Sequence, residues 1–224
     1  TGGLAGDASA LAGPVAPVDL APREWSLLPA AIHESVRAKL ADIEARPTDA
    51  APVAQLGRIY HANFEMELAA VAYRRALALR PGDTQTTYLL ALIHVESGDT
   101  ATALGLLERV VAAEPGYAPA HYNRGQVLPD AGDAAAALKA FEEAVRLSPQ
   151  DATLHIAVGR ALRQLGRLEE ARDALQRGLR LRPEDVAGHQ LLGLTLRALG
   201  QDEQASVHLG RRHLTQSIVV SDPW

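Results

Sequence analysis

The stretch that decides the fold is ATLHIAVGRALRQLGRLEEARDALQRGLRLRP, which runs from Ala152 to Pro183. Its apolar residues recur at three- and four-residue steps on both sides of Gly166, a spacing that predicts two short amphipathic α-helices joined by a tight turn. Pro183 is expected to end the second helix, because proline lacks the amide hydrogen that a helix interior requires. Neither helix can bury its apolar stripe alone, so the stretch predicts packed neighbours of the same kind.

The same pattern of proline, glycine and small residues recurs every 34 residues through most of the chain. Proline closes each unit except the last, glycine marks the turn inside each unit except the first, and a small residue stands in the middle of each helix. The prolines are Pro47, Pro81, Pro115, Pro149 and Pro183, and the turn glycines are Gly98, Gly132, Gly166 and Gly200. The small residues are Gly57, Ala91, Gly125, Gly159 and Gly193 in the first helices and Ala69, Ala103, Ala137, Ala171 and Ala205 in the second helices. Columns that keep one period without an insertion indicate a tandem repeat.

A helix–turn–helix unit with this period and these columns resembles the tetratricopeptide repeat (TPR). The residues that carry the resemblance are Leu56, Gly57, Tyr60, Ala69, Tyr73, Ala76 and Pro81, and again Gly125, Ala137, Phe141, Ala144 and Pro149. The resemblance implies an all-α fold, a right-handed superhelical solenoid of antiparallel helix pairs. We expect an array of five repeats at 48–212, with helix pairs at 50–81, 84–115, 118–149, 152–183 and 186–212. Pro129 falls within the first helix of the third pair, so that helix is predicted to kink or to end early.

Three further segments lie outside the array. Residues 1–22 are rich in Gly, Ala and Pro, and we expect a flexible leader; a tether behind a cleaved export signal and a segment lying in the solenoid's own groove are the alternatives. Residues 23–47 carry apolar residues at helical spacing and are predicted to form an N-terminal capping helix, with a partner-binding helix as the alternative. The apolar residues of the tail, 213–224, either fold back over the last repeat or leave an edge that meets another chain.

Composition excludes several classes of function. A formal net charge of −5 predicts no general attraction to nucleic acid or to an anionic membrane. No apolar run reaches the roughly 20 residues of a membrane-spanning helix. The absence of cysteine excludes disulfides and thiolate metal sites. The sequence holds no phosphate-binding loop, no His-Glu-x-x-His motif and no Gly-x-Ser-x-Gly motif, so we expect no enzymatic activity, no metal and no cofactor.

The resemblance also implies which residues face a partner, because the first helices of TPR proteins line a concave groove. The matching positions here are polar, and arginine is concentrated in the C-terminal half. The implied partner-binding groove residues are Arg58, His61, Tyr88, Tyr122, Asn123, Gln126, Arg160, Arg163, Gln164, Gln190 and Arg197, and Glu96 and Asp130 occupy further groove positions. Arginine binds carboxylates through paired hydrogen bonds, and tyrosine offers a flat apolar face with a hydroxyl. We therefore expect a protein or peptide partner with an acidic segment, and a merely solvated face is the alternative.

Some TPR proteins clamp the carboxylate at the end of a chaperone tail. The clamp positions here hold Ala54, Arg58, Tyr88 and Leu92, which do not supply the set of cationic and amide side chains that the clamp uses. Binding to a chaperone tail is therefore not expected.

Three histidines share one repeat column at His121, His155 and His189. Equivalent positions on successive packed units lie about 10 Å apart, whereas the ligand nitrogens of one metal ion lie about 2 Å from it. These histidines occupy the slot that a large residue fills in the family, so we predict that they pack rather than ligate. His208 and His213 are five residues apart, which is a poor helical spacing for joint ligation.

The sequence thus predicts a non-enzymatic module or scaffold that binds a protein segment in its groove. A self-associating structural protein and an accessory domain of a larger bacterial enzyme or complex are the alternatives. Lysine occurs only at Lys39 and Lys139, and this preference for arginine fits a bacterium with a GC-rich genome. The C-terminal residues resemble those of certain exported bacterial repeat proteins, which favours a periplasmic location over the cytoplasm.

Overall fold

The structure is a computed structural model that describes residues 20–22, 24–128 and 133–210. Within these residues it contains eleven α-helices and no strand. The helices are α1 (His33–Ala45), α2 (Ala50–Ala62), α3 (Met66–Leu79), α4 (Thr84–Glu96), α5 (Thr100–Ala113), α6 (Ala118–Val127), α7 (Ala134–Leu147), α8 (Ala152–Gln164), α9 (Leu168–Leu181), α10 (Val186–Ala198) and α11 (Asp202–Gly210). The predicted all-α fold of tandem helix pairs is confirmed.

Helices α2 to α11 form five consecutive pairs, and the two helices of each pair contact each other. Each pair lies inside the range that the sequence predicts for it. Helix α6 is shorter than the other first helices, with 10 residues instead of 13, and it ends at Val127. This early end agrees with the effect expected of Pro129, although Pro129 and Asp130 themselves lie outside the described residues.

The helices group into two compact units. Unit 1 contains α1–α5 and ends at Ala113, and unit 2 begins at Glu114 and contains α6–α11. In unit 1, α1 packs on α2 and α3 packs on α4; in unit 2, α7 packs on α8 and α9 packs on α10. The largest fully buried side chains are Tyr60, Tyr73, Leu56 and Leu107 in unit 1 and Phe141, Leu175, Leu192 and Leu196 in unit 2.

Aspartate begins four of the five first helices, because its carboxylate accepts a hydrogen bond from an amide that the helix cannot satisfy itself. In the third pair, Tyr117 takes the aspartate's place and its side chain makes no such bond. The pairs are Asp49 with the Ala51 amide at 2.9 Å, Asp83 with Thr86 at 2.8 Å, Asp151 with Thr153 at 2.8 Å and Asp185 with Gly188 at 2.7 Å. The aspartates share one repeat column, so the repeat fixes where each first helix starts.

The turns inside the repeats reverse the chain through a left-handed residue. Gly98, Gly166 and Gly200 have φ values of 76°, 73° and 74°, and in the first repeat the equivalent residue is Phe64, with φ 63°. In each of these turns the next amide bonds a carbonyl in the last turn of the helix, as in a Schellman motif; the Glu65 amide, for example, donates to the Tyr60 carbonyl at 3.0 Å. Gly132 lies outside the described residues.

The small residues of the first helices allow close packing within the pairs. A Cβ added at any of four column glycines would come within 2.6 Å of a side chain on the second helix. The contacts are Gly57 with Tyr73, Gly125 with Phe141, Gly159 with Leu175 and Gly193 with Leu209. Each of these partners stands 16 residues after its glycine, so the contact is part of the repeat.

Among the described residues before the array, Leu20 and helix α1 pack against it. Leu20 is buried, and its carbonyl accepts a hydrogen bond from the Tyr60 hydroxyl at 2.7 Å. Helix α1 packs on α2 and buries Val36. Residues 1–19 of the predicted leader and the whole predicted tail lie outside the described residues, and the roles of leader, cap and tail stay predictions. No helix in the part of the chain described has the length and apolarity to cross a membrane.

Candidate functional site

The predicted groove residues that the structure describes all lie on first helices. In unit 1, Arg58 and His61 lie on α2 and Tyr88 and Glu96 on α4. In unit 2, the remaining described residues lie on α6, α8 and α10. The structure gathers some of them into one small cluster in each unit, and the two clusters are described separately below.

The cluster of unit 1 forms around a buried tyrosine. The Tyr73 hydroxyl lies 3.4 Å from Nδ1 of His61, and the two rings meet edge to face with centroids 6.0 Å apart. Burial raises the pKa of Tyr73 to about 12, although the positive charge of Arg58 acts in the opposite direction. The Tyr73 hydroxyl therefore keeps its proton at neutral pH and adds a polar group next to two predicted groove residues.

The cluster of unit 2 is a chain of three hydrogen-bonded side chains. Arg160 donates from Nη2 to the Gln126 amide oxygen at 2.6 Å, and Gln126 donates from Nε2 to the Tyr122 hydroxyl oxygen at 3.0 Å. Because a guanidinium can only donate, the contact with Arg160 fixes which end of the Gln126 amide faces which partner. We call Tyr122, Gln126 and Arg160 the donor network.

The direction of these bonds decides what the donor network can bind. The amide oxygen of Gln126 and the hydroxyl oxygen of Tyr122 each accept one hydrogen bond within the network and keep one further lone pair. The capacity that remains consists chiefly of N–H and O–H groups: the other guanidinium hydrogens, the second amide hydrogen of Gln126 and the hydroxyl hydrogen of Tyr122. The network therefore offers donors to a ligand and is suited to carboxylates and backbone carbonyls.

A buried aromatic ring of α7 supports the network. Phe141 is 1% exposed, and its ring centroid lies 5.8 Å from the guanidinium carbon of Arg160 and 5.9 Å from the ring centroid of Tyr122. Contact with an aromatic face favours a cation and restricts the arginine side chain. Phe141 and its counterpart Tyr73 contact predicted groove residues, and sequence reasoning missed both because the repeat pattern assigns them to packing. The available signal was their position 16 residues after a column glycine.

The other predicted groove residues of unit 2 do not join the network. Asn123 donates from Nδ2 to the Pro119 carbonyl within its own helix at 3.0 Å. Nε of Arg163 is buried and has no hydrogen-bond partner. Gln164, Gln190 and Arg197 are exposed. The groove residues that are described in this unit nevertheless include three arginines, at 160, 163 and 197, and no carboxylate.

The histidine column has a structural role that spacing did not reveal. Nε2 of each imidazole donates to the carbonyl of the proline six residues earlier. This proline is the residue that ends the preceding repeat. The pairs are His121 with Pro115 at 2.8 Å, His155 with Pro149 at 2.9 Å and His189 with Pro183 at 2.7 Å. We call this contact the histidine–proline staple. His121 and His189 are buried, in agreement with the predicted packing role.

His208 lies beside the last member of the column rather than beside His213, which is outside the described residues. Nδ1 of His208 is 2.8 Å from Nδ1 of His189, and the rings stack with centroids 5.1 Å apart. Nε2 of His189 donates to the Pro183 carbonyl, so Nδ1 of a neutral His189 is an acceptor and Nδ1 of His208 is the donor between the two rings. Across the described ranges, no three His, Cys, Asp or Glu side chains are grouped so as to hold a metal ion.

Comparison with known proteins gives consistent matches. Three family models described as Tetratricopeptide repeat match residues 53–83, 88–152 and 130–195. No curated protein sequence matches the chain. Among solved structures, MamA 41-end from Desulfovibrio magneticus RS-1 is 23% identical with a TM-score of 0.71, over 76% of this chain and 97% of that chain. YrrB, described as a TPR protein with an unusual peptide-binding site, is 23% identical with a TM-score of 0.69, over 79% of this chain and 91% of that chain.

Proposed function

Because the chain belongs to the tetratricopeptide repeat family, we propose that it is a non-enzymatic scaffold for protein–protein interaction. Its ligand is an acidic peptide segment of a partner protein, and unit 2 binds that segment through the donor network. Preformed helices carry the binding groups, so the flexible segment bears most of the ordering cost.

The observation that carries this proposal is the one-sided chemistry of the donor network. Each of its two acceptor oxygens already accepts a bond within the network, most of its free groups are donors, and one of its members is a cation that Gln126 and Phe141 hold in place. A guanidinium positioned in this way needs little reorganisation to form paired bonds with a carboxylate. The arginines at 163 and 197 add positive charge along the same set of predicted groove positions. The peptide-binding site named for YrrB supports a peptide ligand.

Binding is tested with two labelled peptides that differ only in charge. One is a fluorescein-labelled dodecapeptide alternating Asp and Ser, and the other has Asn in place of every Asp. Fluorescence anisotropy at low ionic strength is expected to show tighter binding of the Asp peptide by about tenfold or more, because charge-assisted hydrogen bonds are stronger than neutral ones. The difference should shrink in about 0.5 M salt, which screens exposed charges.

The variants assign binding to the network. Arg160→Met keeps an apolar chain near Phe141 but removes the guanidinium, and we expect it to weaken binding of the Asp peptide about tenfold. Replacing Arg160, Arg163 and Arg197 together by Gln should abolish the preference for Asp over Asn. Arg172→Gln is the matched control, because Arg172 is an arginine of α9 that pairs with Asp173 and is not a groove residue. Equal binding of both peptides, or an unchanged affinity in the triple variant, contradicts the proposal.

Self-association, through either the C-terminal edge or the helix that follows Trp25, stays a prediction. Molar mass measured by light scattering over a hundredfold range of concentration tests it, and a constant monomeric mass rules it out.

A further inference from the structure

The first helices of unit 2 carry three arginines whose charge no neighbouring carboxylate neutralises. Arg160 and Arg163 lie on α8, and Arg197 lies on α10. Among the described residues none of these three guanidiniums forms an ion pair, whereas Arg146 of α7 and Arg172 of α9 each pair with a carboxylate. The three charges therefore remain available to an anionic ligand.

The repeat sets the spacing between two of these charges. Arg163 and Arg197 occupy the same repeat column, 34 residues apart, on two first helices that contact each other. Because the axes of packed helices lie about 8–10 Å apart, equivalent arginines on them stand about 10 Å apart. Nε of Arg163 is buried, which limits how far its guanidinium can move from this position.

Arg160 extends the row of charges toward α6. Its Nη2 lies 2.6 Å from the amide oxygen of Gln126 on α6, and its guanidinium carbon lies 5.8 Å from the ring centroid of Phe141 on α7. The charge of Arg160 is therefore displaced from its own helix toward the preceding repeat, on the side away from α10. The three charges thus form a row across the consecutive first helices α6, α8 and α10, with about one charge per helix–helix spacing.

Two backbone conformations can present carboxylates to such a row. In a β-strand, the side chains of one face recur at every second residue, about 6.6–6.8 Å apart, and the third residue points the other way. In polyproline II, three residues complete a turn with a rise of about 3.1 Å each, so every third side chain shares one face at steps of about 9.3 Å. The polyproline II step matches the spacing of packed helices, and the strand step does not.

We propose that the acidic segment bound by unit 2 adopts the polyproline II conformation and carries an acidic residue at every third position. This inference rests on the proposed function, because it specifies the pattern of the same ligand. Successive carboxylates bind Arg160, Arg163 and Arg197. The free hydrogens of Gln126 and Tyr122 then donate to carbonyl groups of the segment, which polyproline II leaves without internal hydrogen bonds.

The test compares three fluorescein-labelled dodecapeptides of equal length and charge, each made of four Asp and eight Ser. The Asp residues stand at every third position, at every second position, or in one continuous block. Fluorescence anisotropy with the whole chain at low ionic strength should give the third-position peptide a dissociation constant about tenfold lower than the other two, which corresponds to about one charge-assisted hydrogen bond. A fourth peptide has Pro after each Asp of the third-position peptide. It should bind about threefold tighter again, because proline preorganises the bound conformation.

Two arginine variants connect the pattern to the row. Arg197→Gln removes the last charge of the row, so the preference for the third-position peptide over the second-position peptide should fall from about tenfold to about threefold or less. Arg180→Gln is the matched control, because it removes the same charge from an exposed position on the second helix α9, and it should keep the full preference. Circular dichroism at 222 nm verifies that both variants are folded.

The outcomes separate this inference from the proposed function. Equal affinities of the three Asp peptides, all above the affinity of an Asn counterpart, overturn the pattern and leave the acidic ligand in place. Tighter binding of the second-position or block peptide, weaker binding after the addition of Pro, or an equal effect of Arg180→Gln and Arg197→Gln also overturns the pattern. If no Asp peptide binds better than its Asn counterpart, the proposed function fails and the pattern fails with it.

Discussion

Phe64 and Gly166 occupy equivalent left-handed turns, so the free-energy cost of a non-glycine residue in this backbone conformation can be measured at two positions of the same protein. Phe64 has φ 63°, and its side chain is 85% exposed, so little of its apolar area is at stake. The equivalent residue in the fourth repeat is Gly166, with φ 73° and no atom within 4 Å of an added Cβ. The two turns therefore share a backbone conformation and differ in whether the residue suits it.

The magnitude follows from two opposing terms. An L-residue in the left-handed region costs about 1–2 kcal/mol. Glycine offsets part of this difference, by roughly 0.4–1 kcal/mol, because an unfolded chain with glycine loses more conformational entropy on folding than one with alanine. Phe64→Gly should therefore be more stable than Phe64→Ala by about 1 kcal/mol, and Gly166→Ala should be less stable than the wild type by a similar amount. A difference of that size shifts the melting temperature by about 2–4 °C for a chain of this length.

The assay is calorimetry combined with urea unfolding followed by circular dichroism at 222 nm. Comparing Gly with Ala at residue 64, rather than Gly with Phe, removes any contribution from the aromatic ring. If Phe64→Gly and Phe64→Ala prove equally stable while Gly166→Ala is destabilised, the strain assigned to residue 64 does not exist.

Three further predictions concern packing, titration and the staple. Gly57→Ala should destabilise the protein by about 1–3 kcal/mol, because its Cβ would lie 2.6 Å from the Tyr73 ring. Gly105→Ala should stabilise the protein by up to about 1 kcal/mol, because the space around Gly105 is open. Urea unfolding of both variants measures this difference. Tyr73 has its pKa raised to about 12 by burial, so the folded state favours the protonated form. The contribution of this protonated hydroxyl to the free energy of unfolding is complete below pH 10 and is lost as the pH rises to about 12, a loss of about 2–3 kcal/mol. The free energy of unfolding of Tyr73→Phe, measured from pH 9 to pH 12, should therefore fall less than that of the wild type. His121→Phe keeps a ring but removes the bond to Pro115 and should lose about 1 kcal/mol; His155→Phe should lose less because water can reach that site, and equal losses in the two variants would contradict this account.

Sequence periodicity specified the helices well because period, turn and cap are all local. The positions of Pro, Gly and the small residues set the bounds of every pair, and Pro129 predicted the early end of α6. The aspartate column that caps the first helices is also local, and it is visible in the sequence at Asp49, Asp83, Asp151 and Asp185.

The site was harder to predict because it depends on side-chain geometry rather than on backbone period. Matching positions identified the members of the donor network, but not that Gln126 bonds Arg160 across a repeat while Gln164 stays exposed. Which glutamine bonds an arginine depends on side-chain rotamers and on the contact with Phe141, a residue that the repeat pattern assigns to the core. The histidine–proline staple joins a side chain to a carbonyl six residues earlier across a turn, a separation that matches no helical spacing. Spacing could exclude a shared metal ion from that column but could not supply the true partner.

The departures from the repeat identify the places where individual repeats can differ in function. A column with the same residue in every repeat, such as the alanine of the second helices at residues 69, 103, 137, 171 and 205, reports what stacking requires. A column that changes, as His121 does to Thr87, leaves the helix pair intact and alters only the space and hydrogen-bonding capacity that it offers. The same holds for the position that carries Gln126 in one repeat and Arg160 in the next, where the difference between the two residues creates the bond that orients the donor network. Since the fold tolerates either residue at such positions, their identity is free to be set by a ligand. This is why the acidic segment is assigned to a position where neighbouring repeats disagree.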